Sequence, residues 1–340
     1  MGYTDIEPED IYKFKSKALV DIRSPEEFEE FHIPGAVNVP LFENEEKKLI
    51  GRIYRTEGRD RAEKIGRELA LRKVKEIYER LRELKDRLGT VIIYCWRGGM
   101  RSKGLCEAMA SMGLHLYRLR GGYRAYRRFI LRDMVRVLEG VRFIVLTGRT
   151  GVGKTKVLRL LKAYGFPVID LEDLAADRGS VFGNVGIGKR VSQKMFDSLI
   201  YEELKKCRGT VFIEDESRRI GNVYVPEPLW KKKLEGTYIE ITAPIEKRVK
   251  NILADYTSRD GWEEEALRAM EKIKKYLGPQ KFKRAVEMFR EKDYSDVVRF
   301  LIEEYYDRRY RFFGEPVASI DCGDEQRCVE EILNLSGLLR

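Results

Sequence analysis

The sequence predicts an α/β protein: two α/β domains in series, followed by a helical, basic C-terminal region. Three observations predict it. Short apolar runs at Ala18 to Ile22, Val91 to Tyr94, Phe143 to Leu146 and Thr210 to Ile213 alternate with helical patterns, as parallel sheets with crossover helices require. Two of these runs end in glycine-containing loops suited to anions, Cys95 to Arg101 and Gly148 to Thr155. Beyond Pro244 the pattern becomes almost entirely helical.

Bulk composition narrows the class of protein. A chain of 340 residues has room for two or three domains and an ample core. Hydrophobic content is 43% and no apolar run approaches the roughly 18 residues of a membrane span, so a soluble protein with no membrane association is expected. The polar, acidic start M-G-Y-T-D-I-E-P-E-D is unlike a signal peptide, and Asp5 argues against myristoylation of Gly2. Five cysteines without C-x-x-C spacing and only two histidines argue against a zinc site and leave little material for histidine acid–base chemistry. Free thiols and a cytoplasmic location are the expectation. Lys and Arg number 66 against 56 Asp and Glu, an excess that suits a polyanionic partner such as nucleic acid or, equally, a basic soluble surface.

From the N-terminus, the strand at Ala18 to Ile22 runs into D-I-R-S-P-E-E-F-E-E-F-H-I-P-G-A-V-N-V-P. Ser24 is placed as an N-cap, Pro25 at the first helical position, and Glu26 and Glu27 where the helix dipole favours them. Ile33-Pro34-Gly35-Ala36 then turns the chain into another strand. Between Glu43 and Leu88, Ala62, Ile65, Leu69, Val74, Ile77, Tyr78, Leu81 and Leu84 recur at helical spacing among charges, which predicts two amphipathic helices. Val91 to Tyr94 delivers Cys95 into C-W-R-G-G-M-R, and a helix follows from Ser102 to Met112, ended by Gly113. A cysteine between a strand and a helix N-terminus, with Arg97 and Arg101 nearby, is placed to ionise and act as a nucleophile. Cys106 and Cys207 lie in amphipathic patterns and read as buried, inert thiols. The Asp-x-Arg, His-Ile-Pro-Gly-Ala and Gly121-Gly122 segments together resemble a rhodanese domain. Five residues separate Cys95 from Arg101, one more than in common single-domain members. That spacing is shared with phosphatases of the cell-division-cycle type, and a wider loop accepts a larger atom than sulfur, or a phosphate.

Phe129 to Leu138 is a helical connector. V-L-T-G-R-T-G-V-G-K-T-K then satisfies the phosphate-loop pattern, with Gly148, Gly151, Gly153, Lys154 and Thr155 as the anion-binding set. Glycines turn backbone N–H groups inward, Lys154 adds a point charge, Thr155 offers a hydroxyl to Mg²⁺, and the helix from Lys154 to Lys162 supplies its dipole. Two later strands end in acids, at Asp170 and at Glu214-Asp215, where a magnesium ion or substrate is expected to be positioned; no site for a metal is certain. Tyr305 to Phe312 interleaves aromatics with Arg308, Arg309 and Arg311, a pattern suited either to stacking and phosphate contact with RNA or to plain helix packing. The expected organisation is a rhodanese-like α/β domain at 1–132 with a helical insertion at about 43–88, a connector at 133–140, a P-loop NTPase-like parallel α/β domain at 141–243, and the helical region at 244–340.

A rhodanese-type cysteine loop fused to a phosphate loop is a rare order. Together with C-W-R-G-G-M-R-S, D-L-E-D-L-A-A-D-R-G-S-V-F-G, S-Q-K-M-F and I-E-D-E-S-R-R-I-G, it resembles the tRNA 2-selenouridine synthase family, over nearly the whole chain. The resemblance implies a transferase acting on the wobble 2-thiouridine of the tRNA anticodon stem-loop. The sulfur is first geranylated from geranyl diphosphate, and selenium from selenophosphate then replaces the S-geranyl group. On that reading the phosphate loop holds the diphosphate leaving group, and Cys95 carries selenium as a perselenide steadied by Arg97 and Arg101. No tightly bound cofactor is implied. A monomer is expected, with a separate enzyme supplying selenophosphate. Three other readings stay open on the residues alone: a P-loop kinase regulated by a rhodanese domain, a phosphatase fused to a nucleotide-binding module, and a basic RNA-binding scaffold.

Overall fold

The computed structural model describes residues 2–183, 185, 190–257 and 260–337. The expected regions at 141–243 and 244–340 therefore include a few residues outside that description. The chain divides into two compact units, 1–133 with 197–199, and the remainder.

In the first unit the elements run β1 (Thr4–Ile6), β2 (Ala18–Asp21), α1 (Pro25–Glu30), β3 (Val37–Asn38), α2 (Asn44–Thr56), α3 (Arg59–Leu88), β4 (Val91–Tyr94), α4 (Met100–Ser111), β5 (Tyr117–Leu119) and α5 (Gly122–Glu139), whose last turns belong to the second unit. The five strands form one parallel sheet in the order β1-β5-β4-β2-β3. Strands β2 and β4 are buried along their whole length, as their unbroken apolar runs require. Ser24 and Glu27 form a capping box at the start of α1, with Pro25 at the first helical position. The expected insertion is the α2–α3 pair, and Ile77, Leu81 and Leu84 of α3 complete the core over β2 and β4. Arg23 and Asp21, the Asp-x-Arg pair, form a fully buried ion pair at 2.6 Å at the carboxyl end of β2.

The second unit contains β6 (Val141–Thr147), α6 (Lys154–Ala163), β7 (Val168–Ile169), α7 (Leu171–Ala175), α8 (Gln193–Lys206), β8 (Gly209–Glu214), the hairpin β9 (Arg219–Ile220) and β10 (Val223–Tyr224), α9 (Glu227–Leu234) and β11 (Thr237–Thr242). There follow α10 (Ile245–Tyr256), α11 (Trp262–Leu277), α12 (Pro279–Arg290), α13 (Tyr294–Leu301), a π-helical turn at Ile302–Tyr306, α14 (Asp307–Arg309), β12 (Pro316–Asp321) and α15 (Glu325–Leu335). The sheet is parallel throughout, in the order β12-β11-β6-β8-β7.

Three expectations change here. The region from 244 is mainly helical, but it returns a strand, β12, to the edge of the phosphate-loop sheet, and α15 packs on α6, so 141–243 and 244–340 belong to one compact unit. An edge strand with one deeply buried residue, Ile320, leaves little alternation to read. Phe129 to Leu138 is not a separate connector but the later part of α5. Cys322 and Cys328 are joined as a disulfide, Cα atoms 5.0 Å apart, because the end of β12 lies beside the first turns of α15. Cys106 and Cys207 are buried, and burial pushes their thiols up to about 12 and about 11.

Candidate functional site

Both anion loops lie at the carboxyl end of a central strand of their own sheet, where open α/β sheets place their ligands. The phosphate loop leaves β6 and enters α6 at Lys154. Gly151 and Gly153 have φ of +81° and +101°, and a side chain on Gly151 would strike the Arg248 carbonyl and Ile252. The loop is fixed from behind by α10. Arg248 Nε donates to the Thr150 carbonyl at 2.9 Å, and Asn251 Nδ2 to the Gly151 carbonyl at 2.9 Å. With those two carbonyls tied down, the loop N–H groups other than those of Gly148 and Val152, which bond Tyr310 and the Arg149 carbonyl, can face an anion. Arg248 is itself buried and gripped in fork geometry by Asp307, at 2.8 and 2.6 Å. The Tyr310 hydroxyl accepts from the Gly148 N–H at 2.9 Å and lies 2.7 Å from Thr147 Oγ1, which donates to Asp215 at 3.0 Å.

Lys154 folds onto the Gly148 carbonyl at 2.8 Å and faces three carboxylates. Burial opposes its charge, yet Glu216, Tyr310, Glu172 and Glu214 hold its pKa above the ordinary lysine range. One oxygen from each of Glu172, Glu214 and Glu216 lies within 4.8 Å of the others. Burial, with Glu216 next to it, pushes Glu172 up to about 8, and burial beside Glu172 and Asp170 drives Glu214 well above the usual carboxylate range. Glu214 Oε1 accepts from the Glu172 N–H at 2.7 Å, while its Oε2 is buried with no hydrogen-bond partner among the described residues. Three hard oxygen donors of this kind suit one small divalent cation.

Of the three carboxylates expected near a magnesium ion, only Glu214 belongs to this group. Asp215 points the other way, into a buried ion pair with Lys233 at 2.8 Å. Asp170 caps α7, accepting from the Asp173 N–H at 2.9 Å. Strand alternation carried the signal that was missed: Glu214 and Glu216 share a face and Asp215 cannot.

In the first unit Cys95 is 2% exposed, just past β4. Its sulfur lies 3.4 Å from Ser102 Oγ, which in turn donates to the Gly99 carbonyl at 3.2 Å. The Cys95 carbonyl accepts from the Tyr123 N–H at 3.0 Å, and Gly122 sits so close that a Cβ there would lie 2.1 Å from that oxygen. Gly98, at φ +63°, leaves no room for a side chain against Gly121 and Gly122. The expected pair of arginines is arranged differently. Arg97 is exposed, and Arg101 pairs with Glu27 at 3.3 Å, helping Lys47 hold that carboxyl below its usual range against the pull of burial. Among the described residues, Ser102 is the side chain at hydrogen-bond distance from the sulfur.

The arginines assigned to RNA also divide. Arg308 pairs with Glu304 at 2.9 Å, Arg309 lies 4.4 Å over the Tyr276 ring, and Arg311 is exposed. Tyr305 is buried among the C-terminal helices, so this part of the aromatic run packs rather than stacks.

Sequence comparison gives the lineage of this pair of loops. A family model described as the tRNA 2-selenouridine synthase AAA domain matches residues 141–330, and a rhodanese-like domain model matches residues 8–129. A tRNA 2-selenouridine synthase of Sulfurovum sp. (strain NBC37-1) is 32% identical over 333 residues, covering 88% of this chain and 90% of that protein. The chain belongs to the tRNA 2-selenouridine synthase family. Proteins of the same name from Hydrogenovibrio crunogenus (31% identical, 88% of this chain and 89% of the relative) and Nitrosomonas europaea (35%, 70% and 63%) are also similar. The chain is thus a selenouridine synthase family member with a rhodanese-like unit followed by a P-loop unit. Among the described residues no helix is long and apolar enough to cross a membrane.

Proposed function

We propose that this chain is a tRNA-modifying transferase that converts wobble 2-thiouridine to 2-selenouridine in two steps, one on each loop. The observation that carries the reading is the presence, in one family member, of a loop cysteine over one parallel sheet and a phosphate loop over another. A kinase needs only the second of these.

In the first step a sulfur lone pair of 2-thiouridine attacks C1 of geranyl diphosphate. The S–C bond forms, the C1–O pair leaves on the diphosphate, and the N3 proton of the base is released to the diphosphate or water. Charge on the departing diphosphate is met by the loop N–H groups of Arg149 to Gly151 and of Gly153, by Lys154 and by the α6 dipole, with Thr155 at the first turn. Lys154 must exchange the Gly148 carbonyl for a phosphate oxygen. A divalent cation held by Glu172, Glu214 and Glu216 would add charge neutralisation beside Lys154.

In the second step selenium attacks C2 and geranylthiolate leaves. Overall, S-geranyl-2-thiouridine, selenophosphate and water give 2-selenouridine, geranylthiol and phosphate, with no net redox change. Carriage by Cys95 as a perselenide requires a small-molecule disulfide to accept two electrons when the S–Se bond forms. A thiol returns them when that bond is cleaved after transfer, so the pair cancels. Ser102, the neighbour of the Cys95 sulfur, can donate to an anion there once its hydroxyl turns from the Gly99 carbonyl. The basic surface, with Arg311 exposed on it, supports tRNA as the partner, and the cytoplasm, where tRNA and selenophosphate meet, is the proposed location.

The test is nucleoside mass spectrometry of 2-thiouridine-containing tRNA incubated with the protein, geranyl diphosphate and selenophosphate, each omitted in turn. The complete mixture yields 2-selenouridine, and omission of selenophosphate stops at the S-geranyl nucleoside. Persistence of 2-thiouridine in the complete mixture refutes the reading.

A further inference from the structure

The α2–α3 pair is the part of the first unit that the two reaction steps leave without a task. Leu49, Ile50, Ile53 and Tyr54 give α2 an apolar face, yet none of its residues is buried. Between this pair and α4 runs a cleft of about 1030 Å³, lined wholly by residues 41–108 of the first unit. Ile50, Val74 and Leu105 are among its apolar walls, and Tyr54 and Met100 stand 58% and 59% exposed along it. Arg59 of α3 reaches Met100 of α4, its Nη2 3.7 Å from Sδ. Packed proteins leave few voids larger than a water molecule, so a space of this size is a binding cleft by its dimensions.

Position and charge decide the occupant. The cleft shares the first turn of α4 with the cysteine loop: Met100, Arg101 and Lys103 line it, and Ser102, between them, lies 3.4 Å from the Cys95 sulfur. Its lining is basic, with Lys47, Arg59, Arg67, Arg101 and Lys103 against Glu63 and Glu107. Residues 44–88 together carry fifteen Lys and Arg against ten Asp and Glu, half of the whole chain's excess of ten. A second copy of this chain would bring its own net charge of +10 to a surface of the same sign. An anion the size of selenophosphate would leave the cleft almost empty. A single strand of RNA supplies both complements, base faces for the apolar walls and phosphates for the basic residues. We infer that this cleft seats the unpaired loop of the substrate RNA beside Cys95, with Tyr54 stacking on a base and Arg59 and Arg67 meeting backbone phosphates. Arg59 and Arg67 both pair with Glu63, and each gives up that shared partner for a phosphate. The inference rests on the tRNA reading above and adds the surface that holds the RNA during selenium transfer.

The experiment is fluorescence anisotropy titration of the full chain with a labelled anticodon stem-loop RNA carrying 2-thiouridine, over a series of salt concentrations. Tyr54→Ala is expected to weaken binding at least about fivefold. Arg59→Glu combined with Arg67→Glu is expected to weaken it at least about tenfold and to flatten its salt dependence. All three side chains are exposed, so the fold does not depend on them. Arg82→Glu combined with Arg87→Glu makes the same charge change at exposed α3 positions outside the cleft, and is expected to bind within about twofold of wild type. Wild-type affinity in the cleft pair, or equal weakening by the control pair, overturns the cleft alone. Wild-type affinity in Tyr54→Ala overturns the stacking assigned to that ring. A wild-type chain that does not bind the RNA overturns the tRNA reading and the cleft together.

Discussion

Arg248 is the residue on which the shape of the phosphate loop depends, and its removal has a calculable cost. Arg248→Ala deletes one hydrogen bond to the Thr150 carbonyl and two charge-assisted bonds to Asp307. Breaking a buried pair by truncating one partner costs about 3–5 kcal/mol. Asp307 is 18% exposed and keeps Arg149 at 3.2 Å, so the lower end of that range applies, about 3 kcal/mol. For a unit of this size each kcal/mol moves the midpoint by about 2–4 °C, giving a fall of roughly 6–12 °C. Differential scanning calorimetry measures this directly. Titration with inorganic diphosphate should show weaker binding as well, because the freed Thr150 carbonyl can turn toward the anion. Arg248→Lys keeps the charge but not the fork geometry and should fall between wild type and alanine. If Arg248→Ala melts within about a degree of wild type and binds diphosphate normally, the scaffolding role assigned to α10 is wrong.

Three further outcomes are expected. Burial alone would raise the Asp307 pKa, but Arg248 and Arg149 hold it below the usual 3.8. Its contribution is therefore complete above 3.8 and lost as the pH falls through the lower folded value; Asp307→Asn should lose less stability than wild type over that acid interval in urea titrations, and equal losses would contradict the assignment. Gly122→Ala places a Cβ where the Cys95 carbonyl lies and imposes φ +58° on alanine, so selenation should fail while geranylation continues; normal selenation by a folded variant would show that the cysteine loop tolerates movement. Glu214→Gln should reduce any stimulation of geranyl transfer by magnesium, and undiminished stimulation would place the cation elsewhere.

What could be read from the sequence was what is local along the chain. The phosphate loop is a run of consecutive residues whose glycines each answer a backbone demand, and the Ser24–Pro25–Glu27 start of α1 is a capping signal within one turn. The partners that make these loops work come from far away. Arg248 and Asn251 reach the loop from about a hundred positions on, and Lys233 takes Asp215 from α9, 18 positions on. No periodicity marks such contacts. Tyr305 and Tyr310 sit in the same aromatic run, yet one is buried among helices and the other touches Gly148, a division that helix spacing alone does not dictate. Ser102 was legible in principle, as a hydroxyl on the first turn after the cysteine loop, but the adjacent arginines drew the electrostatic reading.

The central claim is that two chemistries are separated on two loops, and one measurement tests it most directly. Nucleoside mass spectrometry of tRNA treated with Cys95→Ser and with Lys154→Ala, each in the complete reaction mixture, separates the steps. Cys95→Ser should accumulate S-geranyl-2-thiouridine without 2-selenouridine, and Lys154→Ala should leave 2-thiouridine largely unchanged. Normal 2-selenouridine from Cys95→Ser, or normal geranylation by Lys154→Ala, would contradict it.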